Sequence, residues 1–98
     1  MEIFNRIYNA VRQRGCISDN EKDIGFYEKL IEEVSEVRAE MFLKDNNIEK
    51  ELIDVMTVCS SWLIHRGFDI EKLLIENAIK NENRCTNTKH QPEKKRIE

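Results

Sequence analysis

The sequence predicts an all-α protein: a four-helix antiparallel bundle that oligomerises. Three observations lead there. Apolar residues recur at helical spacing in four segments, with short polar turns between them. Breakers are scarce, with 3 Gly and 1 Pro in 98 residues, and charged residues make up 36% of the chain. A chain this short buries a limited fraction of its surface, so partner subunits are expected to complete the core.

The first helix is expected over Met1 to Arg14, where Ile3, Phe4, Ile7, Tyr8 and Val11 make one apolar face and Gly15 is the stop. Ser18 with Glu21 three residues later is a capping-box candidate, and Gly25 is expected to delay or kink the start of the second helix. That helix runs to about Leu43 on a stripe of Tyr27, Leu30, Val34, Val37 and Met41. At about 100° per residue, Glu33, Glu36 and Glu40 flank the stripe while Glu32 falls on the solvent side. Lys44-Asp45-Asn46-Asn47 is the turn, with Asn46 and Glu49 as a second capping-box candidate. The third helix, Ile48 to His65, is apolar around most of its circumference and is therefore expected at the centre of the bundle, with Trp62 and Cys59 in the core. Gly67 ends it. Asp69 caps the fourth helix and Phe68 staples onto Leu73. The fourth helix runs to about Arg84 with Ile70, Leu73, Leu74 and Ala78 inward. Residues 1–85 thus form one helical domain, and 86–98 read as a polar, disordered tail containing Pro92 and ending in a basic run.

No apolar run is long enough to span a membrane, and the N-terminus lacks the apolar region of a signal peptide, so no membrane association and a cytoplasmic location are expected. Cys16, Cys59 and Cys85 form an odd set without a CxxC pair and read as reduced thiols. A net charge of -3 argues against binding to a nucleic-acid polymer, which needs a basic face.

The chemistry lies in two acidic pairs at i, i+3 spacing: Glu33 and Glu36 on the second helix, Glu51 and Asp54 on the third. A short turn makes these helices antiparallel neighbours, and the two pairs then stand at similar heights. Glu51 shares a side with Val55, Val58 and Trp62, a costly place for an uncompensated charge. Four converging carboxylates repel unless a cation sits among them, and hard oxygen donors suit Mg²⁺, with Mn²⁺ as a substitute. Carboxylate-held Mg²⁺ leaves positions for water and phosphate oxygens. Asn77, Lys80, Asn81 and Arg84 form a polar row on the fourth helix whose donors and positive charge suit phosphate or base recognition.

The pattern Glu32-Glu33-x-x-Glu36 followed by Glu51-x-x-Asp54 resembles the signature of the MazG-like, all-α nucleotide pyrophosphohydrolases, and the resemblance covers about Phe4 to Arg84. The segment Val11 to Cys16 and the run from Asn77 to Arg84 also look like family segments. The resemblance implies a dimeric or tetrameric helical bundle that uses Mg²⁺ to cleave nucleoside triphosphates to monophosphate and pyrophosphate. It implies Glu33, Glu36, Glu51 and Asp54 as metal ligands; it does not fix the base for the attacking water, for which Glu36 is the candidate, and Glu33 and Glu36 are the expected catalytic residues. Glu32 would assist the metal, and Lys80, Asn81 and Arg84 would contact the nucleotide. The family's Pro-Trp-Asp after Gly-Cys is replaced here by Ile17-Ser18-Asp19, so the aromatic of that motif is missing, and Asn77 stands where many relatives carry Lys.

Two other readings compete. One is a non-catalytic helical dimerisation or regulatory module that retains the acidic cluster. The other is a carboxylate-bridged di-iron bundle, which usually requires Glu-x-x-His on its core helices; His65 and His90 do not supply it.

Overall fold

In the computed structural model, which describes residues 2–87, there are four helices and no strand among those residues: α1 (Glu2–Gln13), α2 (Asp23–Met41), α3 (Ile48–His65) and α4 (Ile70–Asn87). None of them is long and apolar enough to cross a membrane. The expected tail, apart from its first residues, lies outside the described residues; α4 itself runs three residues beyond Arg84.

Glycine ends α1 and α3 in the same way. Gly15 has φ +80° and Gly67 φ +88°. The N–H of Gly15 donates to the Arg12 carbonyl at 2.9 Å and that of Cys16 to Val11 at 3.2 Å. Gly67 donates to Ile64 at 2.8 Å and Phe68 to Leu63 at 3.1 Å. These paired bonds satisfy carbonyls that the helix end leaves over, and the left-handed residue they require is one that glycine adopts without a Cβ penalty.

Helices α2 and α3 make an antiparallel hairpin. The Asn47 N–H donates to Glu40 Oε1 at 2.6 Å beside the turn. At the far end Trp62 Nε1 donates to Asp23 Oδ1 at 2.8 Å and Arg66 Nη1 pairs with Asp23 Oδ2 at 2.8 Å. Helix α3 packs against α1, α2 and α4, as its near-continuous apolarity requires. Its contact with α1 includes Tyr8 and His65, and Phe26 of α2 stacks on Trp62 with ring centroids 5.9 Å apart and planes 8° from parallel. The inward apolar set is small: Ile17, Phe26, Val58 and Ile70.

Several expectations need correction. Helix α2 turns Phe26, Leu30, Glu33 and Val37 inward, while Tyr27 and Val34 are half exposed and Met41 more so. Two stripes at 3,4 spacing run side by side on this helix, and the one containing an acid faces α3. Ser18 and Glu21 do bond, at 3.4 and 3.5 Å, but they close a turn ahead of the helix; α2 begins at Asp23 with Lys22 at its cap and no side-chain cap bond. Gly25 lies in the first turn of α2. Asn47, not Asn46, caps α3, so Glu49 cannot complete a box, and Glu40 from the preceding helix bonds the cap N–H instead. Asp69 does cap α4, accepting from the Lys72 N–H at 3.3 Å. Leu74 and Ala78, however, are exposed, and α4 meets α3 over a far smaller surface than α1 or α2 does. Cys59 is exposed rather than in the core. Cys16 and Cys59 are free thiols; Cys85 falls outside the described side chains.

Candidate metal centre

Helical spacing puts Glu33 and Glu36 on one side of α2, and Glu51 and Asp54 on one side of α3. The hairpin then brings all four together: one carboxylate oxygen from each lies within 4.8 Å of the others. The group mixes environments. Glu33 is buried, Glu51 half-buried, and Glu36 and Asp54 are exposed. Oε1 of Glu33 and Oε1 of Glu51 are buried without a hydrogen-bond partner. A buried carboxylate oxygen lacking a donor is costly, and a cation placed among these oxygens offsets that cost. Hard, anionic oxygen donors with two open-sided members fit Mg²⁺ or Mn²⁺, which retain water among their ligands.

Electrostatics bear out the crowding. Burial pushes the Glu33 carboxyl above the ordinary glutamate range; Lys29 opposes this, and the charges of Glu36 and Asp54 add to it. Lys29 Nζ lies 3.4 Å from Glu33 Oε2 and 3.5 Å from Glu32 Oε1. Desolvation works to lower the Lys29 ammonium, but its bonds and charge interactions with Glu33 and Glu32 outweigh it and hold it above its usual value. Glu32 is exposed, as its helical phase predicts, and it joins the site only through Lys29.

A cavity of about 420 Å³ opens beside the cluster, within the size range of small-molecule sites. Glu33 and Asp54 form part of its lining, with Phe26 and Val58 as apolar surface. Arg14 and Lys29 bring positive charge to it. Ser61, 2% exposed, also lines it, and its Oγ has no hydrogen-bond partner. Sequence reasoning missed Lys29, Arg14 and Ser61. The i, i+4 step from Lys29 to Glu33 was a usable signal for the first; Arg14 lies in the segment Val11 to Cys16 singled out from the sequence, though not as a site residue, and nothing in the pattern marked Ser61.

Lys80, Asn81 and Arg84 are exposed along the distal half of α4, and none of them lines this cavity. Trp62 lies half-buried between Phe26 and Asp23. Its N–H, and behind it Arg66, hold the Asp23 carboxyl below the usual range against an opposing desolvation effect.

No family model, curated protein or solved structure matches this chain.

Proposed function

We propose that the chain is a Mg²⁺-dependent nucleotide pyrophosphohydrolase, converting nucleoside or deoxynucleoside triphosphates to monophosphate and pyrophosphate. The observation that carries the proposal is the convergence of four carboxylates, two with buried and partnerless oxygens, beside a cavity of ligand size that Glu33 and Asp54 help to line. The resemblance of the paired acidic motifs to MazG-like pyrophosphohydrolases supports the same reading.

Glu33, Glu36, Glu51 and Asp54 would hold the metal, with Glu32 assisting from outside. When bound, Mg²⁺ supplies positive charge to the phosphate oxygens and acidifies coordinated water. Glu36 is open to solvent and is the proposed base: it takes the proton as water oxygen bonds to the α-phosphorus and the bond to the pyrophosphate oxygen breaks. Buried Glu33 would give its charge to the metal, which would offset the burial that otherwise disfavours the ionised carboxyl. Arg14 and Lys29 suit the phosphate chain by charge, and the Ser61 hydroxyl is a ready hydrogen-bond partner for the substrate. Lys80, Asn81 and Arg84 are proposed for the outer part of the nucleotide.

A homodimer or homotetramer belongs to the same proposal. The hairpin leaves Ile31 and Val34 on α2, and Ile53 and Met56 on α3, about half exposed, and α4 adds Leu74 and Ile79. Apolar faces of this extent on a small domain are the usual sign of a subunit contact.

The test is a panel of canonical and damaged nucleoside and deoxynucleoside triphosphates with Mg²⁺, scored for both products. Release of monophosphate and pyrophosphate, abolished by EDTA, is the expected result. A folded protein that yields no product from any nucleotide would instead be a non-catalytic helical module.

A further inference from the structure

Lys29 stands one turn before Glu33 on α2 and reaches back into the acidic cluster. Its ammonium lies 3.4 Å from Glu33 Oε2 and 3.5 Å from Glu32 Oε1, while Glu33 Oε1 is buried without a partner. Lys29 therefore bridges the most buried carboxylate of the cluster and an exposed neighbour outside it. It also lines the cavity beside the cluster, as Arg14 does.

We propose that Lys29 is a stand-in cation for the carboxylate cluster, released when a divalent metal enters and then turned to the phosphate chain in the adjoining cavity. The proposal rests on the metal-site reading above, and it assigns Lys29 two successive partners.

Three features carry it. A divalent ion bound to Glu33 repels an ammonium at 3–4 Å from the same carboxylate, so the two cations compete for Glu33. The ion pair is easily given up: the Lys29 side chain is 53% exposed, and a lysine preceding its glutamate at i, i+4 is the weaker helical orientation. The ammonium is a compact charge on a flexible four-carbon stem, so it can change partners without moving the helix. The closest other use for its charge is the cavity it already lines, where an incoming phosphate chain brings new anionic oxygens.

The test uses the full chain and its Lys29→Met and Lys29→Arg variants. Mn²⁺ affinity, without nucleotide, is read from the spectrum of the free ion by electron paramagnetic resonance. Pyrophosphate affinity is then measured calorimetrically at saturating Mg²⁺. In Lys29→Met, Mn²⁺ is expected to bind about tenfold more tightly and pyrophosphate about tenfold more weakly. Lys29→Arg retains the charge and should leave Mn²⁺ affinity near that of the unaltered chain. On the unaltered chain, the Lys29 Cε–Hε resonance should move on adding Mg²⁺ and move again on adding pyrophosphate. Unchanged or weaker Mn²⁺ binding in Lys29→Met would make Lys29 a buttress of the site and overturn the proposal, as would unchanged pyrophosphate affinity. Mn²⁺ binding by neither form overturns the metal-site reading and this proposal together. Tight binding that ignores Lys29 overturns this proposal alone.

Discussion

The Tyr8 hydroxyl lies 2.8 Å from Nδ1 of His65, joining two helices that are 57 residues apart in sequence. The other ring nitrogen, Nε2, is 3.1 Å from the Glu21 carbonyl, which can only accept. Nε2 therefore carries a proton, and with that single proton on the ring Nδ1 accepts from Tyr8. The imidazole thus links α1, the following loop and α3. Tyr8→Phe keeps the ring and removes the donor. Unfolding in urea should show a loss of about 1 kcal/mol. A change near zero would mean that α1 is held by its apolar face alone.

Glu33 and Asp23 should give stability opposite dependences on pH. The folded-state pKa of Glu33 is raised, so its contribution is fully present below the ordinary glutamate range and is lost as pH rises through the raised value. That of Asp23 is lowered, so its contribution is present above the ordinary aspartate range and is lost as pH falls through the lowered value. Metal-free Glu33→Gln should therefore be more stable than the unaltered chain at neutral pH, by about 1 kcal/mol. It should also lose the gain in stability that mild acid gives the unaltered chain. Thermal melts from pH 4 to pH 8 in EDTA test this, and a less stable variant at pH 7 would contradict the burial argument.

Glu36→Gln and Asp54→Asn change partly open positions and should fold with unchanged helicity. Turnover of the best nucleotide should fall by about a hundredfold or more. Full activity in either variant would show the site to be wrongly assigned.

If the proposed site takes Mg²⁺, binding to the folded state alone would make the ion a stabiliser. At a hundred times its dissociation constant the gain is about 2.7 kcal/mol. The melting temperature of the unaltered chain should climb with Mg²⁺ concentration, while that of Asp54→Asn should respond much less. Equal responses would place the ion elsewhere.

Gly67→Ala introduces a Cβ that meets nothing within 4 Å, so any cost comes from the φ of +88°. A loss of about 1 kcal/mol in chemical denaturation is expected.

Much of this was readable from the chain, and the failures have physical causes. The bounds of α3 were legible because a polar turn precedes it and Gly67 forces a left-handed stop after it. The four carboxylates were legible because i, i+3 spacing and a short connection fix their heights without any knowledge of packing. The inward face of α2 was misread because Tyr27, Val34 and Met41 are more apolar than the neighbouring stripe that includes Glu33, and hydropathy ranks stripes without knowing which meets α3. Leu74 and Ala78 were placed inward because periodicity records a face but not how much of it a neighbour covers. The position of Lys80, Asn81 and Arg84 relative to the acids depends on the angle at which α4 leaves α3, and that angle has no local signature.

The bonds that Asn47 donates to Glu40, and Trp62 and Arg66 to Asp23, bracket the four clustered carboxylates from opposite ends of the α2–α3 hairpin. The hairpin is therefore latched above and below a mutually repelling middle. Carboxylate repulsion acts on a beam supported at both ends, by bonds that contain no member of the cluster. On the proposed reading, an arriving ion would meet a gauge already cut to width, and loading the site would turn side chains without folding a helix.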